Sequence, residues 1–125
     1  IQLNLRSDTR SLDLRGRILA GARTYAEFDV EVDGRTSTAI RIDTSDRAQT
    51  LRLVDCGTRA ARQITITFPQ GAIVELDAID VEEGSQTTPL EGSRDKYLAL
   101  GDSITQGMDA RGPAVAYPVQ LARVL

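Results

Sequence analysis

Residues 97–103 read Tyr-Leu-Ala-Leu-Gly-Asp-Ser, four apolar positions running into a glycine, an acid and a hydroxyl. A short continuous apolar run that ends in turn residues predicts a strand buried on both faces, as in parallel sheets. Gly101 lets the backbone turn where a side chain would clash. Ser103 then projects from the carboxyl end of that strand, the usual place of chemistry in an open α/β sheet. N–H groups just beyond such a turn can hold a developing negative charge. A serine hydroxyl is a weak nucleophile at neutral pH and needs a base within hydrogen-bond reach. The sequence contains no histidine to act as one.

The block Gly101-Asp102-Ser103-Ile104-Thr105, with Gly107 two places on and the apolar run before it, resembles the first conserved block of the GDSL, or SGNH, serine esterases. The resemblance implies that Ser103 is the nucleophile and that its own backbone N–H is one oxyanion donor. It implies that Gly101, Asp102, Thr105 and Gly107 shape the site, and that no cofactor takes part. Other blocks of that family supply a glycine and an asparagine to the oxyanion hole, then an Asp-x-x-His near the carboxyl end. With Leu125 the last residue, these are expected outside the chain. The expectation is therefore either a fragment of a longer protein or a site completed by another polypeptide. Asp102 adjoins the nucleophile too closely to orient a relay, and is expected to accept backbone N–H groups at the turn. Met108 opens a loop that borders the site. It is read either as lining an acyl pocket or as filler against the sheet.

The elements that must position this block begin well upstream. From Ile1 to Gly84 apolar residues alternate: Leu3 and Leu5, then Leu12, Leu14 and Ile18, then Ala26, Phe28, Val30 and Val32. Ile40 and Ile42, Leu51 and Leu53, and Ile64, Ile66 and Phe68 continue the pattern. A period of two puts each set on one face of a strand. Asp33-Gly34 predicts a tight hairpin turn and Pro69-Gln70-Gly71 a further connection. Val74 and Leu76 differ in parity from Ile79 and Val81, and a bulge near Ala78 would return all four to one face. About seven short strands at this spacing predict a sandwich of two antiparallel sheets. This stretch also resembles, more loosely, the jelly-roll β-sandwich that precedes the catalytic domain in some two-domain members of the same esterase family. The segment from Ile64 to Leu76 is similar to its last two strands and the turn between them.

A polar, turn-rich stretch over 85–95 predicts a linker, which leaves 1–84 as the sandwich and 96–125 as the start of an α/β hydrolase domain. Its first strand is 97–100. Its first helix begins near Pro118, whose apolar stripe continues through Leu121, Ala122 and Leu125. Such a strand and stripe need neighbours, so residues 97–125 are expected to pack on polypeptide absent from this chain.

Composition limits the alternatives. Net charge is −3 with both signs interspersed, so no nucleic-acid footprint is expected. No apolar run has the length of a membrane span. Cys56 is alone and reads as a small buried thiol. With no histidine and one cysteine, a zinc site of the usual ligands is excluded. Glu75, Asp77, Asp80, Glu82 and Glu83 read as a solvated outer face rather than a calcium site. The compartment stays open.

The esterase resemblance implies a carboxylic ester as substrate, with the O-acetyl group of a saccharide as the specific case. The alternative belongs to another class: a non-catalytic sandwich that binds carbohydrate or a protein partner. Its sole aromatic candidate is Tyr25, which falls on the opposite parity from Phe28 and so faces away from the core.

Overall fold

Period-two alternation becomes strand wherever it is sustained. The computed structural model describes residues 1–36, 39–91, 97–108 and 110–125. Its strands are β1 (Gln2–Ser7), β2 (Ser11–Ala20), β3 (Tyr25–Val32), β4 (Arg35–Thr36), β5 (Ile40–Asp43), β6 (Ser45–Asp55), β7 (Arg62–Thr67), β8 (Ala72–Val81) and β9 (Thr87–Pro89). Two short helices follow, α1 (Ser103–Gln106) and α2 (Tyr117–Ala122), with a 3-10 turn at Pro113–Val115 before the second.

One sheet runs β4-β3-β7-β1-β9, with β5 also paired to β3; the other runs β6-β2-β8. The pairings are antiparallel. Leu12, Leu14, Ile18, Leu53 and Val54 of one sheet meet Ala26, Phe28, Val30, Ile64 and Ile66 of the other in a single buried core. Phe28 meets Phe68 edge to face, with ring centroids 5.7 Å apart. The expected two-sheet sandwich is therefore present. Asp33 and Gly34, with φ of 51° and 74°, make the hairpin between β3 and β4. Cys56 is half-buried against the core.

The change of parity in β8 is resolved by a bulge. Arg15 pairs with Ala78 but Gly16 with Leu76, so Asp77 is the extra residue. Val74, Ile79 and Val81 thereby pack against the core, whereas Leu76 stays 46% exposed. Gly16 makes the bulge possible: a Cβ there would lie 2.0 Å from the Glu75 carbonyl oxygen. A second register shift, between Leu12 and Asp13, lets both Leu53 and Val54 face inward. Three of the acids read as an outer face pair with arginines of β2 and the turn before it, as Arg17–Glu75, Arg15–Asp80 and Arg10–Glu82.

Two expectations are corrected. Within the expected linker 85–95, Thr87–Pro89 pairs with Leu5, Arg6 and Ser7 as edge strand β9. Two threonines and a proline carry no apolar period, and what recruits them is the open edge of β1. Residues 92–96, the end of that linker, lie outside the described residues, as does Asp109. Residues 97–100 do not form a strand. Leu98 and Leu100 are 78% and 82% exposed, and no described strand lies beside them to satisfy their N–H and C=O groups. The helix expected near Pro118 is α2, with Pro118 in its first turn. Its stripe is uncovered, Leu121 and Leu125 being exposed.

The carboxyl-terminal segment packs on the outer face of β3. On β3 the residues opposite in parity to Phe28 are Tyr25, Glu27, Asp29 and Glu31. The Asp29 side chain is buried and accepts the Ala114 N–H at 2.7 Å. Gly112 sits so close that a Cβ there would be 2.8 Å from Asp29 Oδ2. Glu31 pairs with Arg123 at the end of α2. Pro113, Ala114 and Ala116 are buried in consequence.

Two outcomes follow from these contacts. Asp29→Ala removes the acceptor, whereas Asp29→Asn keeps an oxygen in place. A hydrogen bond to a charged group is worth about 1.5–3 kcal/mol, so the Ala114 amide should exchange with solvent at least tenfold faster in the alanine variant. Unchanged protection at Ala114 would show that Asp29 does not hold this segment. The turn after β8 should in turn be acid-sensitive. The Gln86 backbone N–H, with Arg59 assisting, holds the Asp8 carboxyl below its usual range, and Arg10 does the same for Glu82. Both folded-state values are depressed. Their contribution is therefore complete above the ordinary carboxylate range and fades as pH falls through the folded-state values. Amides of 82–88 should lose exchange protection on acidification before those of β2, and simultaneous loss would count against this ordering.

Candidate functional site

Ser103 is exposed at the first position of α1. The turn that presents it is made locally. Asp102 is the N-cap, its Oδ1 accepting the Ile104 N–H at 2.9 Å, a common way to satisfy an otherwise unpaired helical donor. Gly107 ends the single turn in the left-handed region at φ 80°, donating to the Ile104 and Ser103 carbonyls. A Cβ on Gly107 would meet Ala116 Cβ at 2.5 Å and Gln70 Oε1 at 2.8 Å. A Cβ on Gly101 would lie 2.0 Å from Thr105 Oγ1. Thr105 in turn shares a 3.0 Å hydrogen bond with the Tyr117 hydroxyl, which links α1 to α2.

Beside these residues is a cleft of about 290 Å³ lined by Ser103, Ile104, Met108, Val115, Ala116 and Tyr117, together with Gly107 and Ala110. Of the residues singled out by the sequence, Ser103, Gly107 and Met108 thus meet at one cavity. Gly101, Asp102 and Thr105 do not line it; Asp102 caps α1 and Thr105 ties it to Tyr117. The lining is largely apolar apart from the Ser103 and Tyr117 hydroxyls, and an uncharged acyl chain suits such walls.

The sandwich supplies part of this site, which the sequence reading missed. Arg23, in the loop between β2 and β3, donates from Nη2 to the Met108 carbonyl at 2.6 Å and from Nη1 to the Tyr25 hydroxyl at 3.1 Å. Asp29 fixes Ala114, next to the lining residues Val115 and Ala116. The loop that follows the serine turn is therefore held at two places by β3 and its neighbouring loop. Three acids and a tyrosine at alternate positions of one strand were the available signal, but alternation alone does not tell which polypeptide covers a face.

Tyr25 is half-buried rather than open. The Arg41 guanidinium lies over its ring, 3.6 Å from the centroid. With that face occupied, Tyr25 is a poor stacking platform for a sugar.

No family model and no curated protein matches the sequence. Solved structures do match in fold. A salicylyl-acyltransferase from a tetracycline biosynthetic pathway superposes with a TM-score of 0.78 at 23% identity, over 98% of this chain and 36% of its own. An active-site mutant of a family two carbohydrate esterase from Clostridium thermocellum, in complex with a cello-oligosaccharide, gives 0.73 at 16% identity, over 98% and 40%. A protein from Bacteroides ovatus described as a GDSL-like lipase gives 0.67 at 18% identity, over 98% and 39%. The chain thus spans well under half the length of each structure it matches. Its fold is similar to part of an acyltransferase, a carbohydrate esterase and a GDSL-like lipase, in agreement with the resemblance carried by the Ser103 block.

Proposed function

We propose that the chain is part of a serine-dependent ester hydrolase of the GDSL/SGNH type. The observation that carries this reading is an exposed serine, capped and presented by Asp102 and Gly107, at the mouth of a cleft lined by Met108 and Tyr117. The likeness in fold to ester-cleaving and acyl-transferring proteins supports it. In this reading Ser103 attacks the ester carbonyl and its backbone N–H is one oxyanion donor. Gly101, Asp102, Thr105 and Gly107 shape the turn, and Met108 lines the acyl pocket. A histidine outside residues 1–125 accepts the hydroxyl proton, two further donors complete the oxyanion hole, and water releases the acyl group. The substrate is a carboxylic ester, with the O-acetyl group of a saccharide as the specific case.

The same reading treats 1–84 as a jelly-roll sandwich and 85–95 as a linker with β9 at its head. Residues 96–125 then open the hydrolase domain. Leu98, Leu100, Ile104, Leu121 and Leu125 are exposed here. Burying one leucine is worth about 1.5–3 kcal/mol, and further polypeptide over 97–125 would bury several. The alternative, a sandwich that only binds carbohydrate, is weakened by the arginine that covers Tyr25.

Two measurements test the proposal. The pure 125-residue chain should turn over an aryl acetate no faster than background, since it contains no histidine. In the protein that includes the following polypeptide, Ser103→Ala should lower kcat by about a million-fold, the scale seen when a triad nucleophile is removed, with the circular-dichroism spectrum unchanged. Turnover that survives Ser103→Ala would remove Ser103 from the mechanism.

A further inference from the structure

A second cleft, of about 340 Å³, opens on the outer face of β3 beside Met108. It shares Gly107, Met108 and Ala110 with the serine cleft. Its charged side chains among the described residues are Arg23, Arg41, Arg111 and Glu27. Among the described residues these are three cations and one carboxylate, in a chain whose net charge is −3.

Two of these cations are placed to receive a ligand. Arg10, Arg15, Arg17, Arg52, Arg59 and Arg123 all form ion pairs with carboxylates. Among the described residues Arg41 and Arg111 form none, as is true of Arg6, Arg35, Arg47 and Arg62 outside the cleft, although Glu27 stands directly opposite Arg41 in the β3–β5 register. Arg41 instead lies over the Tyr25 ring, and the Tyr25 hydroxyl is itself held by Arg23. A guanidinium stacked in this way keeps its in-plane N–H fork free and gives up little freedom on binding. Arg111 stands beside Gly112, whose backbone is pressed against the buried Asp29. The two arginines thus sit on backbone that the fold has already fixed.

We propose that this cleft binds an oxyanion, a carboxylate or a phosphate, through Arg41 and Arg111. Resting on the esterase reading, the inference extends it: the ester cleaved at Ser103 carries a negatively charged group in the part of the substrate that reaches past Met108. Planar or tetrahedral oxyanions match the guanidinium fork, and charge-assisted bonds of this kind are about twice as strong as neutral ones.

The test titrates the 125-residue chain with sodium phosphate, sodium acetate and cellobiose at constant ionic strength, followed by NMR at the arginine Nε–H groups and backbone amides. Saturable shifts confined to Arg41, Arg111, Tyr25 and Gly112 are expected with at least one of the anions, and none with cellobiose. Saturation by phosphate alone assigns a phosphate group, and saturation by acetate a carboxylate. Arg41→Gln and Arg111→Gln should each weaken binding about tenfold or more, with the amide spectrum of β2 unchanged to show intact folding. Shifts that grow linearly, that spread equally over all arginines, or that arise only with cellobiose would overturn the proposal. Ser103→Ala should bind the anion as the parent does. Failure of the anion site and failure of the esterase reading therefore appear in separate measurements.

Discussion

The carboxyl-terminal segment owes its place to one buried carboxylate. Asp29 is 6% exposed, and a charge removed from water to that extent is tolerated only when hydrogen bonds replace its hydration. The Ala114 N–H supplies one such bond, and the close approach of Gly112 excludes water from the same spot. Fixing Ala114 fixes its neighbours, and with them the walls of both clefts. Arg23 on the Met108 carbonyl and Glu31 on Arg123 brace the same segment on either side of that point. A sheet face that carried only solvated charges would leave the Ser103 turn without a floor.

Most of the sandwich was legible because period-two alternation is a local property. Leu12, Leu14 and Ile18 announce β2, and Ala26, Phe28 and Val30 announce β3, whatever the rest of the chain does. The broken parity of β8 was legible as well, since Ile79 and Val81 had to return to the core side. The two-residue β4 and the polar β9 were not, because each exists through a partner's edge and not through its own pattern. Residues 97–100 failed in the opposite sense. Their apolar run satisfies the pattern of a buried strand, but pattern does not supply the neighbouring backbone that a strand needs.

The site divides along the same line. The Ser103 turn is encoded within a few residues, where Asp102 caps and Gly107 terminates, and sequence reading reached it directly. Arg23, Asp29 and Arg41 act across register and across the sheet, and their roles follow from pairings such as Glu27 with Arg41. Parity placed Tyr25 and its row on the outer face correctly. It said nothing of the chain that folds back over that face.

That row has a bearing on how such a sandwich can be inherited. Its hydrophobic side would tolerate many substitutions of similar volume, so the module could drift widely and still fold. Its outer row is coupled to residues some 85 positions downstream, as the Asp29–Ala114 and Arg23–Met108 bonds show. Recombination that joined this sandwich to a foreign carboxyl-terminal segment would yield a folded protein whose cleft walls had lost their anchor. The two parts of the chain are therefore coupled, and exchange of either one alone would cost the clefts the anchor that Asp29 provides at Ala114.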